Sequence, residues 1–294
     1  MYLLLPLLAA FAFAFGSMVF KRAYAEGAGV AHAVVVNNLI VGMLFVPLAF
    51  FDSKPIAWDL WHRPFIAAAG FAIGHLLSSL SLRVGDVSVA TPLLGVKVTF
   101  VALLAALLFG REVSVGQWGA VGLTTAGVFV MGLTDFKPGR RAGITTLLAL
   151  GCAGCFAFTD VTLQMWAADF GVLNFLSLQF AALALFSLAM LPFFGKGSLK
   201  ASPAAWKWIG AASFFSATQA ILITAAIGIW RDAAGVNVVY ATRGLWSVVL
   251  VWFLGHRLGN MERQTAGGRT MLLRLMGAAL VLAAVFLAVR HSTG

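Results

Sequence analysis

Charge is what this chain of 294 residues has least of: Asp, Glu, Lys and Arg together make up 10% of it. A soluble domain carries roughly a quarter. Hydrophobic residues reach 61% and mean hydropathy is +0.96. A water-soluble globule is excluded, and an integral membrane protein is implied. Cysteine is also scarce. Cys152 and Cys155 are the only two, a single CxxC inside an apolar run with no second pair to complete a metal site. They read as small thiols packed between helices, and no metal or other cofactor is expected. Acidic residues number ten against twenty Lys and Arg, for a net charge of +10. Yet no basic stretch is long enough to follow a phosphate backbone, which argues against a nucleic-acid partner. The basic residues lie mostly in short loops, where they orient helices and meet the headgroups of membrane lipids. HExxH, GxGD with a second membrane aspartate, and GxS nucleophile elements are all missing, which argues against an enzyme. Nothing resembles a selectivity filter or charged ring.

What is present is a succession of ten apolar runs, at 3–20, 30–51, 62–83, 87–109, 115–133, 143–166, 172–194, 204–229, 233–254 and 270–290. The breaks carry turn chemistry, as in FDSKPIAWD (51–59), RVGD (83–86), FKPGRR (136–141) and GKGSLKASP (195–203). Trp58, Trp61, Trp206 and Trp208 flank runs as interfacial anchors do. The first run is followed by Lys21 and Arg22 without a small-residue cleavage site, so it is expected to be a transmembrane helix rather than a signal peptide.

The chain repeats itself. At an offset of 146, Asp86 falls on Asp232, Lys97 on Arg243 and Arg111 on Arg257. Near 143, FAFGS (13–17) falls on FAFTD (156–160) and Glu26 on Asp169. The expected fold is an all-α integral membrane protein with ten transmembrane helices, arranged as two five-helix repeats, 1–140 and 141–294. An odd number of helices per repeat inverts the second relative to the first. Inverted repeats are the usual frame of alternating-access carriers, with the site at the midplane.

The stretch LLFGREVSVGQWGAVGLTTAGVFVMGL (107–133) resembles the end of an EamA-type repeat of the drug/metabolite transporter superfamily. The matching positions are Glu112, Gln117, Gly119, Gly122 and Gly127. The second half keeps the shape in VWFLGHRLG and MGAALVLAAVFLA but has Leu258 where Glu112 would fall. The resemblance implies a secondary carrier that exports or exchanges a small metabolite without ATP.

Two cations interrupt apolar runs. Lys97 and Arg243 each lie about ten residues from both ends of their run, so about 15 Å from either interface, too deep for their stems to snorkel out. A charge there costs about 2.5–3.5 kcal/mol on the insertion scale. Both are expected to face a wet cavity. Three readings stay open. The pair binds a carboxylate or phosphate of the substrate, Arg243 as a planar fork and Lys97 as a point charge. Alternatively Asp160, the acidic residue within a span, neutralises one of them in a structural or gating bridge. Or Lys97 is deprotonated and takes part in proton coupling. Two cations and one carboxylate leave one positive charge over, which favours an anionic or zwitterionic substrate.

Helical spacing sketches the remaining lining. Tyr240, Arg243, Trp246 and Ser247 share a face, as do His75, Ser78 and Ser79. Ser213, Ser216, Ala220 and Thr224 form a polar stripe beside Gln219. Asp160 and Gln164 lie one turn apart as coupling or gating candidates, with His75 as a further one. Asn37 and Asn38 sit within the second run. Gly70 with Gly74, and Gly119 with Gly122, are spaced for close helix contact. Pro92 is a candidate hinge below Lys97. Thirteen Lys and Arg fall in odd-numbered loops, against five in the even loops and tail. The positive-inside rule then puts odd loops in the cytoplasm and both termini outside, in the cell (inner) membrane. Members of the resembled family commonly place both termini inside, so the two arguments conflict. A proton or counter-substrate is the possible coupling partner. The alternatives are a proton-coupled exporter of aromatic or cationic compounds, with Asp160 facing the substrate, and a lipid-phosphate flippase.

Overall fold

The computed structural model describes residues 3–84, 93–110, 112–132, 140–193, 200–255 and 268–292. Asp86, Pro92, Arg111, Arg257 and Leu258, singled out above, lie outside these residues. Every regular element among them is helical. The α-helices are α1 (Leu4–Ala25), α2 (Val30–Phe45), α3 (His62–Val84), α4 (Lys97–Phe109), α5 (Val115–Gly132), α6 (Arg140–Phe170), α7 (Val172–Ala189), α8 (Pro203–Trp230), α9 (Ala233–Tyr240), α10 (Arg243–Leu254) and α11 (Gly268–Ser292). Seven stretches are long and apolar enough to cross a membrane: α1, α2 with its 3₁₀ extension to Phe51, α3, α6 from Gly143, α7, α8, and α9 continued by α10. Three other apolar helices, Leu94–Phe109, Val115–Met131 and Met276–Leu287, are shorter.

The surface is that of a protein solvated by lipid. Leu107, Phe129, Phe253 and Phe286 are exposed, while Asn38, Thr162, Gln179 and Arg243 are buried. In water such outward rings would drive aggregation. In hydrocarbon they cost nothing, and polar side chains must turn inward instead.

Helix starts are capped by chemistry visible in the chain. Ser202 accepts from the Ala205 N–H at 3.1 Å, with Pro203 opening α8. Asp232 accepts from the Gly235 N–H at 3.0 Å to start α9. The cap of α7 comes from far away. Asp52 Oδ2 accepts from the N–H groups of Leu173 and Asn174 at 2.9 and 3.0 Å. Gly171 permits this approach. Its φ is +83°, and a Cβ there would lie 2.4 Å from the Asp52 carboxylate.

The helices pack in a regular scheme. α1 lies on α8, and α3 on α6; α2 touches α8 as α3 touches α7; α4 meets α6 as α10 meets α1; α5 crosses α11, and α2 crosses α7. Small residues allow these approaches. A Cβ on Gly74 would sit 2.7 Å from the Phe156 ring, and one on Gly127 would sit 2.6 Å from the Gly277 carbonyl. Gly70 and Gly74 thus do face a neighbouring helix. Gly122 meets nothing within 4 Å, because it lies about 140° round the helix from Gly127. α5 thus approaches α11 at Gly119, where a Cβ would lie 3.1 Å from the Leu287 side chain, and most tightly at Gly127, but not at Gly122.

Candidate functional site

Two apolar runs change their winding just before a cation. Leu94–Val96 is a 3₁₀ turn, and Lys97 is the first residue of α4. Ala241 and Thr242 separate α9 from α10, and Arg243 is the first residue after them. This second break is also tightened. The N–H groups of Thr242 and Gly244 reach back three residues, to Val239 and Ala241. Thr242 Oγ1 donates to the Val239 carbonyl at 2.8 Å, the local side-chain bonding that competes with a straight helix. The two turns fall at the same offset of 146 that relates Lys97 to Arg243. Mid-helix 3₁₀ turns often mark functional hinges.

The two cations are satisfied differently. Lys97 Nζ is 2.5 Å from Asp160 Oδ2. That oxygen also accepts from Asn237 Nδ2 at 2.6 Å. Arg243 donates one Nη to the Leu94 carbonyl, in the 3₁₀ turn below Lys97. No carboxylate makes an ion pair with it among the described residues, and its Nε is buried without a hydrogen-bond partner. When FAFGS is aligned on FAFTD, Ser17 stands opposite Asp160. Lys97 and Asp160 are each 4% exposed and Arg243 is 2% exposed, so solvent screens none of these charges strongly. The Tyr240 ring lies between the cations, its centroid 5.6 Å from Lys97 Nζ and 4.5 Å from Arg243 Cζ. Phe13 covers the guanidinium from another side at 4.8 Å.

These groups meet at a cavity with about 780 Å³ of free volume, mouth included. Its walls come from α1, α2, α3, α4, α6, α8, α9 and α10. Six of the residues singled out from the sequence line it: Lys97, Arg243, Tyr240, His75, Ser78 and Asp160. Ser79, Ser216, Gln219, Thr224 and Asn37 do so too. Trp246 and Gln164 are not among the lining residues. Trp246 packs edge-on against Phe11, with ring centroids 5.3 Å apart, because α10 turns that face toward α1. Gln164 Oε1 accepts from the Ala233 N–H at 2.9 Å and so holds the start of α9, as Asp160 holds Asn237 one turn on. Phe13, Phe20, Phe71 and Phe156 complete an aromatic lining that helix-face arithmetic did not reach. FAFGS on FAFTD was the available signal, since Phe13 and Phe156 are equivalent residues of those two segments.

A multi-pass bundle with lipid-facing rings outside and a charged, partly closed chamber within is the architecture of a solute carrier. Residues 1–133 match the model of the EamA-like transporter family, and that part of the chain is similar to members of the drug/metabolite transporter superfamily. A solved structure described only as "Crystal structure of protein" is similar over 95% of this chain and 96% of its own, with a TM-score of 0.62 at 18% identity. At that identity it speaks for the fold. No curated protein matches.

Proposed function

We propose that the protein is a secondary carrier that moves a small organic anion, bearing a carboxylate or phosphate, by alternating access. The observation that carries this reading is Arg243. It is a buried guanidinium on the cavity wall with no carboxylate in contact and an unsatisfied Nε. A buried charge left without a counter-charge is costly, and an anionic ligand removes that cost.

The frame we infer is ten spans in two inverted repeats, 1–140 and 141–294. Three features support it. The rare residues coincide at one offset. Both tightened turns coincide at it too. The packing scheme also maps onto itself when the repeats are exchanged: α1 on α8 becomes α6 on α3, α2 on α8 becomes α7 on α3, and α4 on α6 becomes α10 on α1. Such a frame can rock about its central cavity. Loop charge favours the cell (inner) membrane with both termini outside.

A second reading is favoured by Asp160 lining the same cavity: proton-coupled export of an aromatic or cationic compound, with the carboxylate facing it. Thermal shift of the purified protein against metabolites grouped by charge separates the two. A ligand at a hundred times its Kd stabilises by about 2.7 kcal/mol. Anions are expected to raise the melting temperature by several degrees, and Arg243→Ala to erase that rise while the protein still unfolds cooperatively. Stabilisation by cations alone, untouched by Arg243→Ala, overturns the anion reading.

A further inference from the structure

The face of the cavity formed by α2 and α3 is also polarised, and its polarity can be read from one backbone carbonyl. Leu183 C=O can only accept, so Ser187 Oγ, 2.8 Å away, donates to it. With its proton committed there, Ser187 Oγ accepts from Asn38 Nδ2 at 2.7 Å. That fixes the Asn38 amide with Oδ1 on the opposite side. Asn38 Oδ1 in turn accepts from Asn37 Nδ2 at 3.1 Å; His75 Nδ1 contacts both that oxygen and, at 3.3 Å, Asn37 Nδ2, and because an amide oxygen can only accept, the closer contact assigns the proton to Nδ1. Two consequences follow. The Asn37 carbonyl oxygen, Oδ1, points away from the relay and is buried without any hydrogen-bond partner. In the neutral imidazole with its proton on Nδ1, Nε2 is a bare acceptor. Asn37 is 4% exposed, and both Asn37 and His75 line the cavity. Phe71 and Phe156 flank the imidazole, with ring centroids at 4.5 and 5.5 Å.

The chamber is therefore a dipole of hydrogen-bonding character. The α4 and α10 wall carries cations and an unpaired N–H. The α2 and α3 wall carries acceptors, one of them unpaired. Aromatic rings lie between. We propose that the transported solute is bipolar: an acid group seated against Arg243, an apolar body, and a hydrogen-bond donor, hydroxyl or ammonium, that reaches Asn37 Oδ1 and His75. The relay from Ser187 makes Asn38 and Ser187 positioning residues for that second contact. This inference rests on the anion reading and narrows it. A simple monofunctional acid fills one end and leaves the buried Asn37 acceptor unpaired, which costs about tenfold in affinity.

The test compares acids in matched pairs by titration calorimetry on the purified full chain. A four-carbon acid, a six-carbon acid and phenylpropionic acid are each set against the same acid with a hydroxyl at the far end. The length that spans the chamber is expected to show the hydroxylated form binding about tenfold tighter. Asn37→Ala is expected to abolish that advantage, with a cooperative thermal unfolding transition showing that the variant is folded. Ser187→Ala, outside the lining, is expected to shrink the advantage by releasing the Asn38 amide to flip. Equal affinity within all three pairs overturns the inference, as does an advantage that survives Asn37→Ala, and either result leaves the anion reading standing. If no acid binds and 2-phenylethylamine does, the anion reading itself has failed.

Discussion

At the scale of the residue, the feature that organises this molecule is a broken symmetry. Lys97 and Arg243 align at one offset in the sequence, but among the described residues only Lys97 has a carboxylate in contact, and Asp160 aligns with Ser17. Removing one member of a buried pair strands the other, at a cost of about 3–5 kcal/mol. Asp160→Asn is therefore expected to lower the melting temperature sharply, and Lys97→Met in the same chain to restore most of it. A double-mutant cycle from thermal unfolding in detergent measures the coupling. Losses that simply add mean that the bridge holds nothing. The three charged residues were legible in the sequence because a charge in an apolar run has few tolerable places to be. Trp246 and Gln164 were not placed correctly by the same logic. Spacing tells which residues share a helix face, but not which neighbour covers that face, and here α1 and the start of α9 do. The Asn37–Asn38–His75–Ser187 relay was less legible still. Its central bond joins residues 149 apart, and no local pattern encodes that meeting.

At the scale of the element, apolar runs announce helices, but their internal winding is decided by contacts. Neither Ala241 nor Thr242 is a helix breaker by type, yet the turn there tightens, as does the one at Leu94–Val96. Arg243 links the two through the Leu94 carbonyl, so the paired turns are tied to each other at the cavity floor. Crossings obey the same lesson. Three of the five glycines of α5, Gly119, Gly122 and Gly127, look alike in the sequence, and only the tertiary structure ranks them. Gly127→Ala puts a methyl 2.6 Å from the Gly277 carbonyl, and α5 and α11 must part to admit it, costing about 1–3 kcal/mol. Gly122→Ala meets open space and is expected to be neutral, or stabilising by up to about 1 kcal/mol through helix propensity. Thermal unfolding of the two variants side by side decides this, and equal effects would contradict the crossing described.

At the scale of the whole molecule, the cavity borders a second pocket near the membrane surface. Leu82 lines both the cavity and a shallow adjoining pocket formed by Lys21, Tyr24, Ala25, Gly27, Ala28, Gly29 and Arg83. Those residues belong to the ends of α1 and α3, beside odd-numbered loops. The loop between α2 and α3 is fastened down instead. Asp52 caps α7, Lys54 Nζ donates to the Ala168 carbonyl at 2.7 Å, and Arg63 pairs with Asp169. On the proposed reading a solute would approach from the side of the odd loops, opposite the fastened loop. Those loops carry thirteen of the basic residues, so the orientation proposed from the positive-inside rule puts this side in the cytoplasm, where Lys21 and Arg83 of the second pocket would draw anions. With Cys152 and Cys155 replaced by alanine, a single cysteine at Ser216, on the cavity wall, is expected to react with a membrane-impermeant maleimide in inside-out vesicles and not in intact cells. A cysteine at the exposed Asp59, in an even-numbered loop, is expected to do the opposite. Reversal of both patterns would turn the molecule over in the membrane, placing the same pocket, and the same anion-binding floor, on the outer side.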